Sequence, residues 1–177
     1  QGSHTWENQL VDGLWTYSIE EIWYGLQDCY ADLRANVKKQ YDTEIETLAA
    51  IGVSAMMHGY MAFDKNEEIL VLSVHGETRT PGKPLQLYPS FCLQHPSQME
   101  HLSFISTILN NEKHVNEIDF LTTLAGYVHW QLTGEKVLGI GDASGMLPID
   151  RPPRTTSAEM VAKFDKLVAP KGYGWKL

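Results

Sequence analysis

Cysteine is scarce: Cys29 and Cys92 are the only two in the chain. They are too few and too far apart for a disulfide framework or a thiolate metal motif. The seven histidines form none of the close pairs that a zinc motif needs. No apolar run approaches the roughly 18 to 20 residues that span a bilayer. Basic charge is short as well, with 14 Lys and Arg against 22 Asp and Glu, and the formal net charge of -8 is the wrong sign for a surface that grips phosphates. Gln1-Gly2-Ser3-His4 has neither the basic start nor the apolar core of a signal peptide. The expectation is a cytoplasmic protein with reduced thiols, no bound metal, and neither nucleic acid nor membrane as partner.

What is present is the material of a core. A hydrophobic content of 43% with 20% charged residues is globular rather than disordered. A length of 177 residues suffices for one domain, or for a piece of a larger one. The start without an initiator methionine and without a preceding strand is what a truncated chain would show. Gly2-Ser3-His4 could be a cloning scar, or the segment Gln1 to Asn8 could be native.

Two stretches have helical period. Ser18-Ile19-Glu20-Glu21 is a capping box, and Ile19, Ile22, Trp23, Leu26, Cys29, Tyr30, Leu33 and Val37 follow at helical spacing. That stripe reads as core packing. Asn116 to Gly134 is the second helix, with Ile118, Leu121, Leu124, Ala125, Val128 and Leu132 on one face and Gly134 where a C-terminal cap belongs. His129 reads as a surface or packing residue. A third, shorter helix should run through Met160, Val161, Phe164, Leu167 and Val168, capped by Thr156 and stopped by Pro170 and Gly172.

Between the first two helices, Leu48 to Met56 is apolar and small, and suits a strand buried on both faces. It runs into Met57-His58-Gly59. A strand that stops at a polar group and a glycine is how α/β sheets present ligand groups at their carboxyl ends. On spacing alone His58 reads as a hydrogen-bonded histidine near a strand end. Tyr60 to Phe63, a turn at Asp64-Lys65-Asn66-Glu67, and Ile69 to Leu72 predict an out-and-back pair of strands. Leu72 to about Thr107 has scattered Pro, Gly and Ser and no period; structureless loops beyond about 12 to 15 residues are uncommon in compact domains.

AIGVSAMMHGYMAFD resembles the I-G-x-S-x-x-M-H-G-x-x-x-x-D segment of the FGGY family of carbohydrate kinases, in particular its xylulokinase-like branch. DFLTTLAGYVHWQLTGEKVLGIGDASGMLPID resembles that family's long helix ending L-T-G-E, followed by T-D-x-S-x-A-S and a strand ending in Asp. The matching residues are Leu132-Thr133-Gly134-Glu135, then Gly141-Asp142-Ala143-Ser144-Gly145, then Asp150; Gly141 stands where many members have Thr. The resemblance covers about two-thirds of the chain.

It implies a ribonuclease-H-like α/β domain with a mixed sheet and flanking helices, of which residues 1–177 would be a partial N-terminal, sugar-binding portion. It implies that Met57, His58 and Gly59 line a sugar pocket, and that the sugar is a ketopentose such as xylulose or ribulose. Trp6 and Glu7 match a segment that would edge that pocket, although a packed Trp beside a solvated Glu explains them as well. Asp142 and Ser144 suit a tight turn held by side-chain to backbone hydrogen bonds, a structural role beside the pocket. The complete enzyme would use ATP and Mg2+. The family's D-x-G-T strand and its catalytic Asp have no counterpart here, nor is there a Walker-type loop or G-x-G-x-x-G, so neither catalysis nor a bound cofactor is expected of this chain alone. A non-catalytic α/β sugar-binding or interaction module is the alternative, a metal hydrolase a distant third, and a homo-oligomer is left open.

The segment 72–107 departs from the family, which has a helix and a Trp-Arg-Asn segment there. If the codons of Leu72 to Leu85 are read one frame over, the fixed bases allow F-R-T-W-R-N, and Phe91 to Leu102 in the other shifted frame allows F-A-F-N-I-P-Q. The segment is therefore either a frameshifted translation or a divergent insert, and sequencing independent clones of the coding DNA decides between them.

Overall fold

The computed structural model describes residues 1–11, 14–55, 60–72, 100–146, 149 and 156–176, with only the backbone of residues 14, 15, 100–103 and 106. The chain divides into two compact units, Gln1–Gly52 and Val53–Leu177. Among the described residues no helix is long and apolar enough to cross a membrane.

The first unit is a hairpin of β1 (Gln9–Val11) and β2 (Leu14–Thr16), followed by a long helix, α1 (Ile19–Tyr41). The capping box forms as expected: Ser18 Oγ accepts from the amide of Glu21 at 2.9 Å. Glu20 and Glu21 in the first turn and Lys38 and Lys39 in the last complement the helix dipole. Asp42 ends the helix in a left-handed conformation. The expected apolar stripe is packed only in part. Ile22 and Gly25 are the buried residues of α1, while Leu26 and Tyr30 remain exposed. The helix face that is covered instead carries the N-terminal segment. Asn36 donates to the carbonyl of Gln1, Asp32 accepts from the amide of Ser3, and His4 meets Asp28 at 2.8 Å. Gln1 to His4 are thus part of this unit's packing.

The second unit is built on a three-stranded antiparallel sheet in the order β4-β3-β5, with β3 at Met61–Phe63, β4 at Ile69–Leu72 and β5 at Phe120–Thr122. The out-and-back pair forms as its turn predicts. Asp64 Oδ1 accepts from the amides of Asn66 at 2.8 Å and Glu68 at 2.9 Å, and closes the loop. β3 is buried throughout and has helices on both sides. Tyr60 and Ala62 join the cluster of Phe104, Ile105 and Ile108 from α2 (Glu100–Leu109) and Phe164 from α5 (Ala158–Val168). Phe63 turns the other way. It stacks on Tyr127 and meets Trp130 edge-on, both on α3 (Leu124–Thr133). This alternation follows from the two-residue period of a strand, and it makes the unit an α/β layer.

Four expectations are corrected here. Leu48 to Ala55 form no strand and are largely exposed. Much of that run is Ala, Gly and Ser, which supply little side-chain surface for a sheet to bury. The helix expected over Asn116 to Gly134 is instead a 3-10 turn (Lys113–Glu117), then β5, then α3. Phe120 to Thr122 pair with Met61 to Phe63, and Thr123 starts the helix as its N-cap. Its end is as expected, with Gly134 at φ 78. The aperiodic segment reaches no further than residue 99, because α2 begins at Glu100; residues 73–99 lie outside the described residues. The cap position of α5 is Ser157 rather than Thr156, which pairs across an isolated bridge with Ile149.

Candidate functional site

Of the residues singled out from the sequence, Met57, His58 and Gly59 lie outside the described residues. The chain is described again at Tyr60, which is 2% exposed and leads directly into β3. Its ring meets Phe104 edge-on at 6.0 Å. Its hydroxyl donates to Thr107 Oγ1 at 3.4 Å and lies 3.3 Å from His114 Nε2. Thr107 in turn donates to the carbonyl of Phe104 at 2.8 Å. The other ring nitrogen of His114, Nδ1, stands 3.7 Å from the carboxylate of Glu112. Carboxylate, imidazole, phenol and hydroxyl are therefore lined up beside the strand entry. Nothing in the local sequence marks this group, because Tyr60 and His114 are 54 positions apart.

Trp6 belongs to the first unit. Its ring stacks with Tyr17 at 6.3 Å and lies over Gly25 of α1, where an added Cβ would come within 2.8 Å of the indole. Gly25 is what lets the indole approach this closely. Glu7 beside it is exposed. Burial beneath this cluster pushes the Tyr17 hydroxyl up to about 12.

Asp142 and Ser144 sit in the second unit, on α4 (Ile140–Met146), not in a tight turn. The Gly141-Asp142-Ala143-Ser144 stretch takes up helical hydrogen bonding, with Ala143 bonded back to Gly139 and Ser144 Oγ donating to the carbonyl of Gly141 at 2.7 Å. Asp142 Oδ2 accepts from Thr123 Oγ1 at 3.2 Å, and Thr123 Oγ1 accepts from the amide of Gly126 at 3.2 Å. The aspartate is thereby tied to the start of α3. Among the described residues no three His, Cys, Asp or Glu side chains converge as metal ligands.

The fold matches a xyloylose kinase from Brucella ovis with a TM-score of 0.70 and 21% identity, over 89% of this chain and 33% of that one. It matches a xylulose kinase from Lactobacillus acidophilus at 0.65 and 17% identity, over 89% and 33%. A gluconate kinase from Lactobacillus acidophilus gives 0.66 and 17%, over 89% and 32%. The chain has the fold of about a third of a sugar kinase. No family model and no curated protein sequence matches it. The sugar-kinase fold agrees with the resemblance read from the residues, and the chain spans about a third of the length of the kinases it matches.

Proposed function

We propose that this chain forms part of the sugar-facing portion of an ATP-dependent carbohydrate kinase. The observation that carries the reading is the fold shared with sugar kinases over 89% of the chain. The Met57-His58-Gly59 and Leu132 to Ser144 motifs support it from the sequence. In this reading the domain is ribonuclease-H-like, and the sheet described above is one part of a larger mixed sheet.

Phosphoryl transfer is mostly positioning and charge stabilisation, so the sugar side has to hold one hydroxyl in place. The imidazole of His58 supplies a hydrogen bond to a sugar hydroxyl, Met57 covers an apolar face of the sugar, and Gly59 gives the turn its backbone freedom. Asp142 and Ser144 have a structural role, with Asp142 acting on the cap of α3. ATP and magnesium would supply and neutralise the transferred phosphoryl group. A ketopentose, xylulose or ribulose, is the substrate class.

Calorimetric titration with D-xylulose and D-ribulose tests the reading. Saturable binding that is lost in His58→Ala is expected, with no turnover of Mg-ATP by the chain alone. Absence of binding to either sugar overturns it. In the full-length protein, phosphorylation supports the kinase, whereas binding without turnover supports a non-catalytic module.

A further inference from the structure

α1 carries more apolar surface than its own unit covers. Ile19, Trp23, Leu26, Tyr30, Leu33 and Val37 recur at alternating intervals of four and three residues, which lines them along one narrow stripe. In the middle of that stripe Leu26 is 39% and Tyr30 37% exposed, and the other four are half-buried. The N-terminal segment lies to one side. Gln1, Ser3 and His4 bond to Asn36, Asp32 and Asp28, roughly a third of a turn away around the helix. An exposed apolar stripe of this kind marks a contact with another surface.

The charges beside the stripe say which surface. Glu20 and Glu21 stand in the first turn of α1, Lys38 and Lys39 in the last. Two copies of the helix set side by side in parallel would bring acid against acid and base against base. Antiparallel copies bring each acidic end to a basic end and oppose the helix dipoles favourably. The apolar register agrees. Antiparallel, Ile19 meets Val37 of the second copy, Trp23 meets Leu33, and Leu26 meets Tyr30, every pair having position 28 at its midpoint. In the same register Glu20 of each helix stands across from Arg34 of the other. The pairing of Arg34 with Glu44 within its own chain, at 3.9 Å between half-exposed side chains, is too weak to prevent this.

We infer that the stripe is the docking surface for a second copy of this chain, the two α1 helices pairing antiparallel about a two-fold axis. The inference does not depend on the sugar site.

Sedimentation velocity over a concentration series tests it, with far-UV circular dichroism as a check on folding. The unsubstituted chain should pass from monomer to dimer as concentration rises. Leu26→Glu places a charge at the centre of the stripe and should leave a monomer. Glu20→Arg and Arg34→Glu should each weaken self-association by about tenfold, because each turns both ion pairs into like-charge contacts. Mixing these two single variants should restore dimers, since their charges are then complementary across the axis, and altered folding of either chain would give no such recovery. The double variant Glu20→Arg/Arg34→Glu should restore dimers as well. A monomer at every concentration overturns the inference and leaves the stripe to the remainder of a longer kinase chain. Dimers that survive Leu26→Glu, or that respond to neither charge change, also overturn it.

Discussion

The hydroxyl of Thr123 gives its proton to Oδ2 of Asp142 and takes one from the amide of Gly126, both at 3.2 Å. One side chain thus caps α3 and anchors the aspartate of the Gly141-Asp142-Ala143-Ser144 stretch. Thr123 is 1% exposed, so removing either partner leaves a buried polar group to be satisfied elsewhere. Thr123→Ala should cost about 1–2 kcal/mol, the usual range for a lost N-cap. Asp142→Ala should cost about 1 kcal/mol, one net hydrogen bond. The two losses should add to less than their sum in the double variant, since they share one interaction. Denaturant unfolding of the four proteins measures this. A wholly catalytic Asp142 would leave the unfolding midpoint where it is.

The start of α3 has a second constraint. Thr122, fully buried in β5, has a hydroxyl with no hydrogen-bond partner among the described residues, and it lies against Gly126. A Cβ at Gly126 would fall 2.2 Å from Thr122 Oγ1 and 2.6 Å from Leu138 Cδ2. Alanine is the better helix former by about 0.5–1 kcal/mol, but overpacking costs about 1–3 kcal/mol, so the clash should win. Gly126→Ala is therefore expected to lower the melting temperature, and Thr122→Ala in the same chain to recover part of the loss. Thr122→Val on its own should be neutral or stabilising, because it replaces an unsatisfied hydroxyl with a methyl of similar shape.

Local chemistry was legible wherever a side chain acts on its own neighbourhood. The Ser18 cap, the Asp64 turn and the left-handed Gly134 are each set within four residues, and each forms as its pattern predicts. Pairing between distant segments was not legible. Phe120-Leu121-Thr122 fits a helix face by period, and becomes a strand because Met61 to Phe63 lie beside it. Leu48 to Ala55 has the hydrophobicity of a buried strand, but hydropathy alone hides how little side-chain surface its Ala, Gly and Ser residues offer a neighbour. The candidate site divides the same way. The Met57-His58-Gly59 motif can be read directly, whereas the group around Tyr60 and the link from Thr123 to Asp142 join residues 54 and 19 positions apart.

Tyr17 makes the first unit sensitive to alkali. Burial raises its hydroxyl from 10.0 to about 12. Below pH 10 both the folded and unfolded chains hold the proton, and stability does not depend on this group. Between pH 10 and 12 the unfolded chain releases it first and binds fewer protons, so stability falls as pH rises through that window. Tyr17→Phe removes the ionisation. The variant should show a flatter decline from pH 10 to 12, read as the melting temperature of α1 by circular dichroism. An identical decline in both proteins would mean that the phenol is not held in its neutral form.

Lys136 is shared between two attractions whose sizes differ. Its ammonium sits 4.6 Å from the ring centre of Trp130 and 5.0 Å from that of Phe120, and it pairs with Glu67 at 3.0 Å. The Glu67 side chain is 58% exposed, and surface pairs of that kind contribute about 0–1 kcal/mol and are screened by salt. The two rings form a more sheltered seat, and contacts of a cation with aromatic faces are each worth about 0.5–1 kcal/mol at exposed sites and more when water is displaced. The aromatic seat should therefore dominate. Glu67→Gln is expected to change the unfolding midpoint little, and less still in 1 M salt, where the Debye length is about 3 Å. Lys136→Gln should cost about 1 kcal/mol, with most of that loss persisting at high salt, and Lys136→Arg should retain the stability because a guanidinium also stacks on aromatic faces. If the Lys136→Gln loss instead disappeared in salt, the pairing with Glu67 would be the main interaction.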